Sequence, residues 1–228
     1  MATIAVLGTM DTKGEEHAFV AQQIRQRGHG VFVIDVGTLG EPKLKPDVTR
    51  QEVVKAAGME FSALASRRDR GEAVRVMSQG APIVLTQLAH EKKINGVISL
   101  GGGGGTAIAS AAMRALPIGF PKLMVSTLAS GNVAHYVGVK DIVMFPSIVD
   151  VAGLNRISRQ ILTRAAGAIC GMVEVAVPPT AGADTLKRGQ QTEDKPIIVA
   201  SQFGNTTACV YHARQILEAA GYEVLVFH

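Results

Sequence analysis

The fold of this chain is decided by the stretch VISLGGGGGTAIAS, residues 97–110, in which an apolar run passes through five glycines into small residues. The apolar run is typical of a buried strand, and the run of small residues is typical of a helix. Each glycine loses more backbone entropy on folding than any other residue would. We therefore expect Gly101–Gly105 to let another group come close to the backbone.

A strand–helix–strand pattern opens the chain. TIAVLG is an apolar run, a helical stretch with Val20 and Ile24 follows, Gly28 ends that helix, and VFVIDVG is the next strand. Strands that are apolar throughout are typical of parallel sheets covered on both faces. With further strands at GVISL, PKLMVST and DIVMFP, the sequence predicts an α/β fold with a doubly wound, mostly parallel, Rossmann-like sheet.

Three helices outside this opening unit carry specific expectations. Thr49 and Glu52 have the spacing of a capping box, which predicts a short helix after them. Residues 71–93 predict a longer helix, with a break expected near Gly80–Pro82. A third helix is predicted to bury one face, formed by Leu154, Ile157, Ile161, Ala165, Ala168 and Met172.

The composition fits a globular protein with an aliphatic core, since 47% of residues are hydrophobic, 18% charged and only 4% aromatic. The net charge of +4 is compatible with a phosphate-bearing ligand without requiring one. Few aromatic residues argue against stacking on single-stranded nucleic acid, and no apolar run reaches the roughly 18 residues of a membrane span. The N-terminal sequence has no signal-peptide pattern. We therefore expect a cytoplasmic protein that binds neither nucleic acid nor membrane, with Cys170 and Cys209 in its core.

The domain organisation follows from an internal repeat. Residues 4–35 and 197–228 share the order strand, polar turn, helix, Gly and strand, and Gly28 aligns with Gly221. The sequence predicts an α/β subdomain over 1–179, a polar linker over 180–195 and the first βαβ unit of a second subdomain over 196–228. So small a unit cannot bury its own faces. It must pack on the first subdomain, pack on another copy in a homo-oligomer, or belong to a longer protein, and we expect the last.

The glycine run itself predicts an anion site. At the carboxyl end of a parallel strand, Gly101, Gly102, Gly103, Gly104 and Gly105 would present bare N–H groups at a helix N-terminus. Thr106 would cap that helix or contact a phosphate. A tight strand-to-helix turn is the alternative. No Lys follows as in a Walker A loop, and Thr106 stands where the third glycine of a dinucleotide fingerprint belongs.

Two further polar loops are predicted at the same edge of the sheet. In GTMDTKG, Lys13 is expected on a phosphate, Thr9 and Thr12 in hydroxyl contacts, and Asp11 on a ribose or Mg²⁺; capping of the next helix by Thr12 or Asp11 is the alternative. The second loop, STLASGNVAHYVG, contributes the candidate residues Ser126, Thr127, Ser130, Gly131 and Asn132.

Weaker candidates complete the predicted site. Asp150 and Asn155 either reach the same crevice or cap a helix, and the loop 201–207 would close the cleft if the two repeats face each other. Ser130 with His135 does not form the G-x-S-x-G elbow of a nucleophilic serine. The histidines lack metal-ligand spacing, so no metal-binding residues are predicted.

Taken together, VLGTMDTKGEE, SLGGGGGTA and STLASGNVAHYVG resemble the Tm-one-type ATP-binding domain family. That family comprises bacterial proteins of unassigned activity and the N-terminal part of a plant tobamovirus-resistance protein. The resemblance implies paired Rossmann-like subdomains with ATP, with or without Mg²⁺, bound in the first.

Three functions stay open on the sequence. A nucleotide-binding protein that prefers ATP is the leading hypothesis. The others are a non-catalytic ligand-sensing or protein-interaction module, and an enzyme that handles an acyl or carboxylate group with the glycine loop as an oxyanion hole.

Overall fold

A computed structural model describes residues 1–67, 69–175 and 195–227 of the chain. The chain divides into two compact units, Met1–Val177 and Pro178–His228. The first unit holds five strands, Thr3–Gly8 (β1), Gly30–Asp35 (β2), Gly96–Gly101 (β3), Lys122–Ser126 (β4) and Val143–Pro146 (β5). Its helices are Gly14–Gln26 (α1), Arg50–Ala56 (α2), Phe61–Arg67 (α3), Arg70–His90 (α4), Gly103–Ala115 (α5), Ala134–Val137 (α6) and Arg156–Val175 (α7).

The five strands form one parallel sheet in the order β2-β1-β3-β4-β5. The chain passes from β1 to β2 on one side and later resumes with β3 on the other side of β1. The β1/β3 boundary is therefore the topological switch point, beyond whose carboxyl ends ligands bind in open α/β sheets. The predicted doubly wound α/β fold is confirmed.

Helices cover both faces of this sheet because neighbouring residues of each strand point to opposite sides. Ile4 and Val6 of β1 pack in one apolar cluster with residues of α1 and α7. Ala5 and Leu7 pack in the other, with residues of α2, α4 and α5. The core is aliphatic, as the composition predicts.

Local sequence explains where α2 and α4 begin. The capping box of Thr49 and Glu52 is formed, with both reciprocal hydrogen bonds, and α2 follows it as predicted. Asp69 caps α4 by accepting from the backbone N–H groups of Gly71 and Glu72. The break expected near Gly80–Pro82 is absent, since α4 runs unbroken. Tertiary packing outweighs the local proline signal, because residues before and after Pro82, including Val76, Met77 and Leu85, are buried in the core.

The buried face of α7 is rotated relative to the prediction. Ala165 is buried as expected, whereas Ile157 is 42% exposed. The buried positions are Ser158, Leu162, Ala165, Ala166, Ile169, Cys170 and Val173. Cys170 is thus a core residue as predicted.

The second unit contains a parallel pair, Ile197–Ser201 (β6) and Glu223–Phe227 (β7), joined through the helix Thr207–Ala219 (α8). This is the predicted strand–helix–strand order. The predicted linker over 180–195 lies almost wholly outside the described residues. The expectation that Cys209 is a core residue is wrong, because Cys209 is exposed on α8, a helix with no buried residue. A single helix on a two-stranded sheet offers too little apolar surface to bury a face.

Candidate functional site

A cavity of about 470 Å³ opens at the carboxyl edge of the sheet, at the switch point between β1 and β3. Its volume is within the range of small-molecule sites. The loop after β1 contributes Thr9, Asp11, Thr12 and Lys13, and the glycine loop after β3 contributes Gly101, Gly102, Gly104 and Gly105. The remaining walls come from the loop after β2, from α3 and α4, from Ile108 of α5 and from Asp150 after β5.

The glycine loop leads directly into α5, which begins at Gly103 after the N-cap residue Gly102. The first intrahelical bond runs from the N–H of Thr106 to the carbonyl of Gly102 at 2.8 Å. The N–H groups of Gly103–Gly105 lie before that bond and have no acceptor within the helix. The N–H groups of Gly104 and Gly105, which line the cavity, and the positive end of the α5 dipole thus form one of its walls.

The protein's own structure explains only part of the glycine run. None of the five glycines has a positive φ. A Cβ atom at Gly101 would lie 3.1 Å from Gly105 Cα, a contact so tight that the backbone would have to shift to accept a side chain. A Cβ atom at Gly102, Gly103 or Gly105 would meet nothing closer than 3.6 Å. Three of the five glycines therefore have no steric cause within the described residues.

Gly104 faces the opposite wall of the cavity. A Cβ atom there would lie 3.3 Å from Val74 Cγ2 and 3.9 Å from an Arg70 guanidinium nitrogen, both on α4. The Arg70 side chain therefore lies over the N-terminus of α5, where a cation is disfavoured unless an anion lies between them.

Lys13 brings a second cation to the cavity. Its ammonium group donates to the backbone carbonyl of Val151 in the loop after β5. Beside it, Thr12 Oγ1 donates to Thr9 Oγ1 over 2.8 Å. Cationic and hydroxyl groups thus line the cavity together with the glycine N–H groups.

Asp11 ties two loops of the site together. Its Oδ1 accepts from the Thr12 N–H at 2.7 Å, and its Oδ2 accepts from the N–H groups of Leu39 at 2.7 Å and Gly40 at 3.2 Å. The alternative that Asp11 or Thr12 caps α1 is wrong, because the N-cap residue is Lys13 and no side chain caps that helix. The Asp11 carboxylate instead holds the loop after β2 against the loop after β1.

Two buried ionisable residues behind the cavity were not predicted from the sequence. His17 of α1 packs on Gly8 so closely that a Cβ atom there would lie 1.9 Å from His17 Nε2. Burial lowers the pKa of His17, and its Nδ1 lies 2.6 Å from the carbonyl of Lys13, so a neutral ring with Nδ1 protonated would donate to it. Asp35 at the end of β2 accepts from the N–H groups of Met10 and Gly37, and burial raises its pKa.

Part of the cavity lining is apolar. This part includes Val36, Leu64, Ala73, Met77 and Ile108. None of these residues was predicted as a site residue, because the spacing of each in or next to its strand or helix is that of an ordinary core residue. Arg70 was not predicted as a site residue either.

The predicted residues of the loop after β4 do not line the cavity. Thr106 is fully buried, and its Oγ1 lies 2.7 Å from Ser126 Oγ, so both hydroxyls join β3–α5 to β4. The proposed capping by Thr106 is therefore wrong, since Gly102 is the N-cap.

The other candidates in and after that loop have varied positions. Thr127 lies behind Gly102, 3.6 Å from the position of a Cβ atom there. Asn132 Oδ1 accepts a hydrogen bond from the N–H of Ala134, and the neighbouring Ser130 and Gly131 are exposed. In the glycine loop, Gly103 is exposed and does not line the cavity. Of the two weaker candidates, Asp150 lines the cavity and Asn155 caps α7.

The α/β topology and the switch-point cavity define a class, the doubly wound domains with a small-molecule-sized crevice at the carboxyl edge of a parallel sheet. Within it, the chain belongs to the uncharacterised protein family UPF0261, whose N-terminal domain matches residues 2–178 and whose C-terminal domain matches residues 195–228. The resemblance to bacterial proteins of unassigned activity is thereby confirmed, whereas ATP binding stays a prediction.

Relatives come from bacteria and a plant. A UPF0261 protein of Clostridium tetani is 48% identical over 225 residues, covering 99% of this chain and 53% of that protein. The tomato ToMV resistance protein Tm-1(GCR237) is 35% identical, covering 97% of this chain and 31% of that protein. The chain spans about half the length of its bacterial relatives.

Among solved structures, the UDP-GlcNAc 2-epimerase of Neisseria meningitidis bound to UDP-GlcNAc aligns with a TM-score of 0.40 at 11% identity, covering 99% of this chain and 65% of that chain. Within the part of this chain that the structure describes, no helix is both long and apolar enough to span a membrane.

Proposed function

We propose that the switch-point cavity binds a nucleotide, with ATP as the preferred ligand and its phosphates at the N-terminus of α5. The observation that carries the proposal is the glycine wall: Gly102 and Gly105 line the cavity, and neither has a steric cause for being glycine within the described residues. Gly105 lies in the first turn of α5, where glycine destabilises a helix by up to about 1 kcal/mol relative to alanine. A bound group that needs the bare backbone would account for that cost.

The charges around the glycine wall support an anionic ligand. Arg70 and Lys13 both line the cavity, one from α4 and one from the β1–α1 loop. Hydrogen bonds from such cations to phosphate are stronger than neutral ones. A phosphate between Arg70 and the α5 N-terminus would turn an unfavourable placement of like charges into a favourable one.

The apolar part of the lining supports a ligand with a flat, weakly polar part. Leu64, Met77 and Ile108 surround a space that a phosphate alone would leave empty. A nucleotide combines the two required chemistries, since its base fits an apolar wall and its phosphate chain fits the glycine wall. The preference for adenine rests on the family resemblance.

The test is a thermal-shift and calorimetric titration of the 228-residue protein with ATP, ADP, AMP and inorganic phosphate, each with and without Mg²⁺. At a ligand concentration of about 100 times Kd, binding stabilises by about 2.7 kcal/mol, which raises Tm by several degrees. Arg70→Met should weaken ATP binding by about tenfold or more, because a charge-assisted hydrogen bond is lost.

Arg75→Met is the matched control. Arg75 is exposed on the same helix, pairs with Glu72 and does not line the cavity. Its replacement should leave ATP binding unchanged. The proposal fails if no nucleotide shifts Tm, or if Arg70→Met and Arg75→Met bind ATP equally well.

A further inference from the structure

The loop after β5 contains an unusual backbone turn. Ile148 has a φ of +64°, a left-handed conformation that a β-branched residue rarely adopts. The N–H of Val149 donates to the carbonyl of Ser147 at 2.7 Å, so Ile148 is the central residue of a three-residue γ-turn. Turns of this kind with positive φ are rare and strained.

Burial does not explain this strain. The Ile148 side chain is 72% exposed, so the conformation gains little from packing. Lys92, the other non-glycine residue with positive φ among the described residues, directly follows the end of α4, where a left-handed residue is ordinary. Strained non-glycine residues cluster at switch regions and ligand sites, where the surrounding structure holds them in place.

Contacts on both sides hold the turn. Upstream, the N–H of Ser147 donates to the carbonyl of Ser126 at 3.1 Å, and Ser147 Oγ donates to the carbonyl of Val149 at 2.6 Å. Downstream, the Lys13 ammonium donates to the carbonyl of Val151. These contacts fix the segment at its two ends.

A second contact from α1 reinforces the downstream end. Glu16 Oε1 accepts from the N–H of Gly153 at 2.5 Å. Glu16 is almost fully buried, whereas Lys13 lines the cavity. Lys13 is therefore the contact that a ligand can reach.

We propose that residues 147–153 form a ligand-released latch, in which an anionic ligand that takes the Lys13 ammonium frees the carbonyl of Val151 and lets Ile148 relax to a negative φ. The latch rests on the nucleotide site proposed above. Because Asp150 lies in the segment and lines the cavity, release also changes the wall of the site. Ligand binding in the cavity would thus change the conformation of the exposed residue Ile148.

The first arm of the test needs no ligand. Hydrogen exchange at the amides of Val149 and Gly153 is measured in the full chain for Lys13→Met and for the control Lys55→Met, an exposed lysine of α2. Lys13→Met should speed exchange of these amides several-fold while those of β4 stay protected. Unchanged exchange in Lys13→Met overturns the latch, whatever the protein binds.

The second arm uses ATP as the probe at saturating concentration. ATP should speed exchange at Val149 and Gly153 in the wild-type chain and have no further effect in Lys13→Met. Calorimetric binding without any change in exchange overturns the latch and leaves the nucleotide site standing. Absence of binding overturns both.

The third arm tests the strain. Ile148→Gly removes the left-handed penalty from the latched form only, so ATP should bind the variant roughly 5- to 30-fold more weakly than the wild type. Ile118→Gly is the control, since Ile118 is equally exposed at 74% in the loop between α5 and β4 and has no positive φ. Equal ATP affinity in Ile148→Gly and Ile118→Gly contradicts the strain mechanism.

Discussion

Gly104→Ala separates a ligand cradle from a tight turn. The added Cβ atom would lie 3.3 Å from Val74 Cγ2 and 3.9 Å from the Arg70 guanidinium, so it enters the space between α5 and α4 that the phosphates of a nucleotide would use. No backbone strain is involved, because Gly104 has no positive φ. The change therefore acts mainly on the cavity.

The expected stability change is small. Alanine in place of glycine at a compatible helical position stabilises by about 0.4–1 kcal/mol, and the tight contact with Val74 offsets part of this gain. For a unit of this size, Tm should move by less than about 4 °C. ATP affinity should fall at least tenfold, because a methyl group replaces space that a phosphate oxygen needs.

Gly103→Ala is the matched control, one residue earlier in the same helical turn. Its Cβ atom would meet nothing closer than 4.0 Å, and Gly103 is exposed outside the cavity lining. It should raise Tm slightly and leave ATP affinity unchanged. Differential scanning calorimetry with isothermal titration measures both quantities. The cradle is refuted if Gly104→Ala loses several kcal/mol of stability without ligand, or if it binds ATP as well as Gly103→Ala does.

Two further predictions concern the scaffold. Gly80→Ala should lower the free energy of unfolding in a urea titration by about 1–3 kcal/mol or more. Its Cβ atom would lie 2.0 Å from the carbonyl oxygen of Val53 and would force α4 away from α2. The control Gly171→Ala, whose Cβ atom meets nothing within 4 Å, should not lower the free energy of unfolding. Asp141→Asn should destabilise at neutral pH by about 1–3 kcal/mol, less than the roughly 3–5 kcal/mol of a broken buried pair, because Asp141 is 42% exposed. Burial opposes ionisation of Asp141, but hydrogen bonds from Lys122 and from the Gly119 N–H outweigh it and lower its pKa below the usual 3.8. A carboxyl group with a lowered pKa stabilises the folded protein at pH values above its unfolded-state pKa of about 3.8, and this stabilisation is lost as the pH falls through the folded-state pKa. The difference in unfolding free energy between wild type and Asp141→Asn should therefore shrink below about pH 4. A difference in unfolding free energy that persists unchanged at pH 3 would contradict the ion-pair explanation.

The sheet could be predicted because its signals are local. Apolar runs such as TIAVLG and GVISL, each followed by a polar or glycine turn and a helix, are sufficient to indicate parallel strands with loops at one edge. The same reasoning predicts that Thr9–Lys13 and the glycine run lie together at the carboxyl edge of the sheet. The break in α4 and the buried face of α7 were mispredicted because tertiary packing, which single-sequence periodicity does not see, sets both.

The candidate site was less accessible to prediction. Arg70, Leu64 and Met77 line the cavity because α3 and the first turns of α4 lie beside it, a placement that depends on tertiary packing. Thr106 and Ser126 were expected on a ligand, but the pairing of β3 with β4 places their hydroxyls against each other. Small polar residues after a strand serve inter-strand contacts as readily as ligand contacts, and only the three-dimensional arrangement decides between them.

The strand order β2-β1-β3 also sets when the cavity can exist during folding. The loop at Thr9–Lys13 belongs to the first βαβ unit, whereas Gly101–Gly105 follows only after α2, α3 and α4 have been passed. Their meeting requires β3 to dock beside β1, a contact of long sequence separation and therefore among the slower events in a folding reaction. The β1–α1–β2 unit alone would lack the glycine wall, so any ligand of this crevice selects chains whose central strands are already paired. The fraction of chains with an occupied cavity then depends on how many chains have paired β1 with β3 as well as on the ligand concentration.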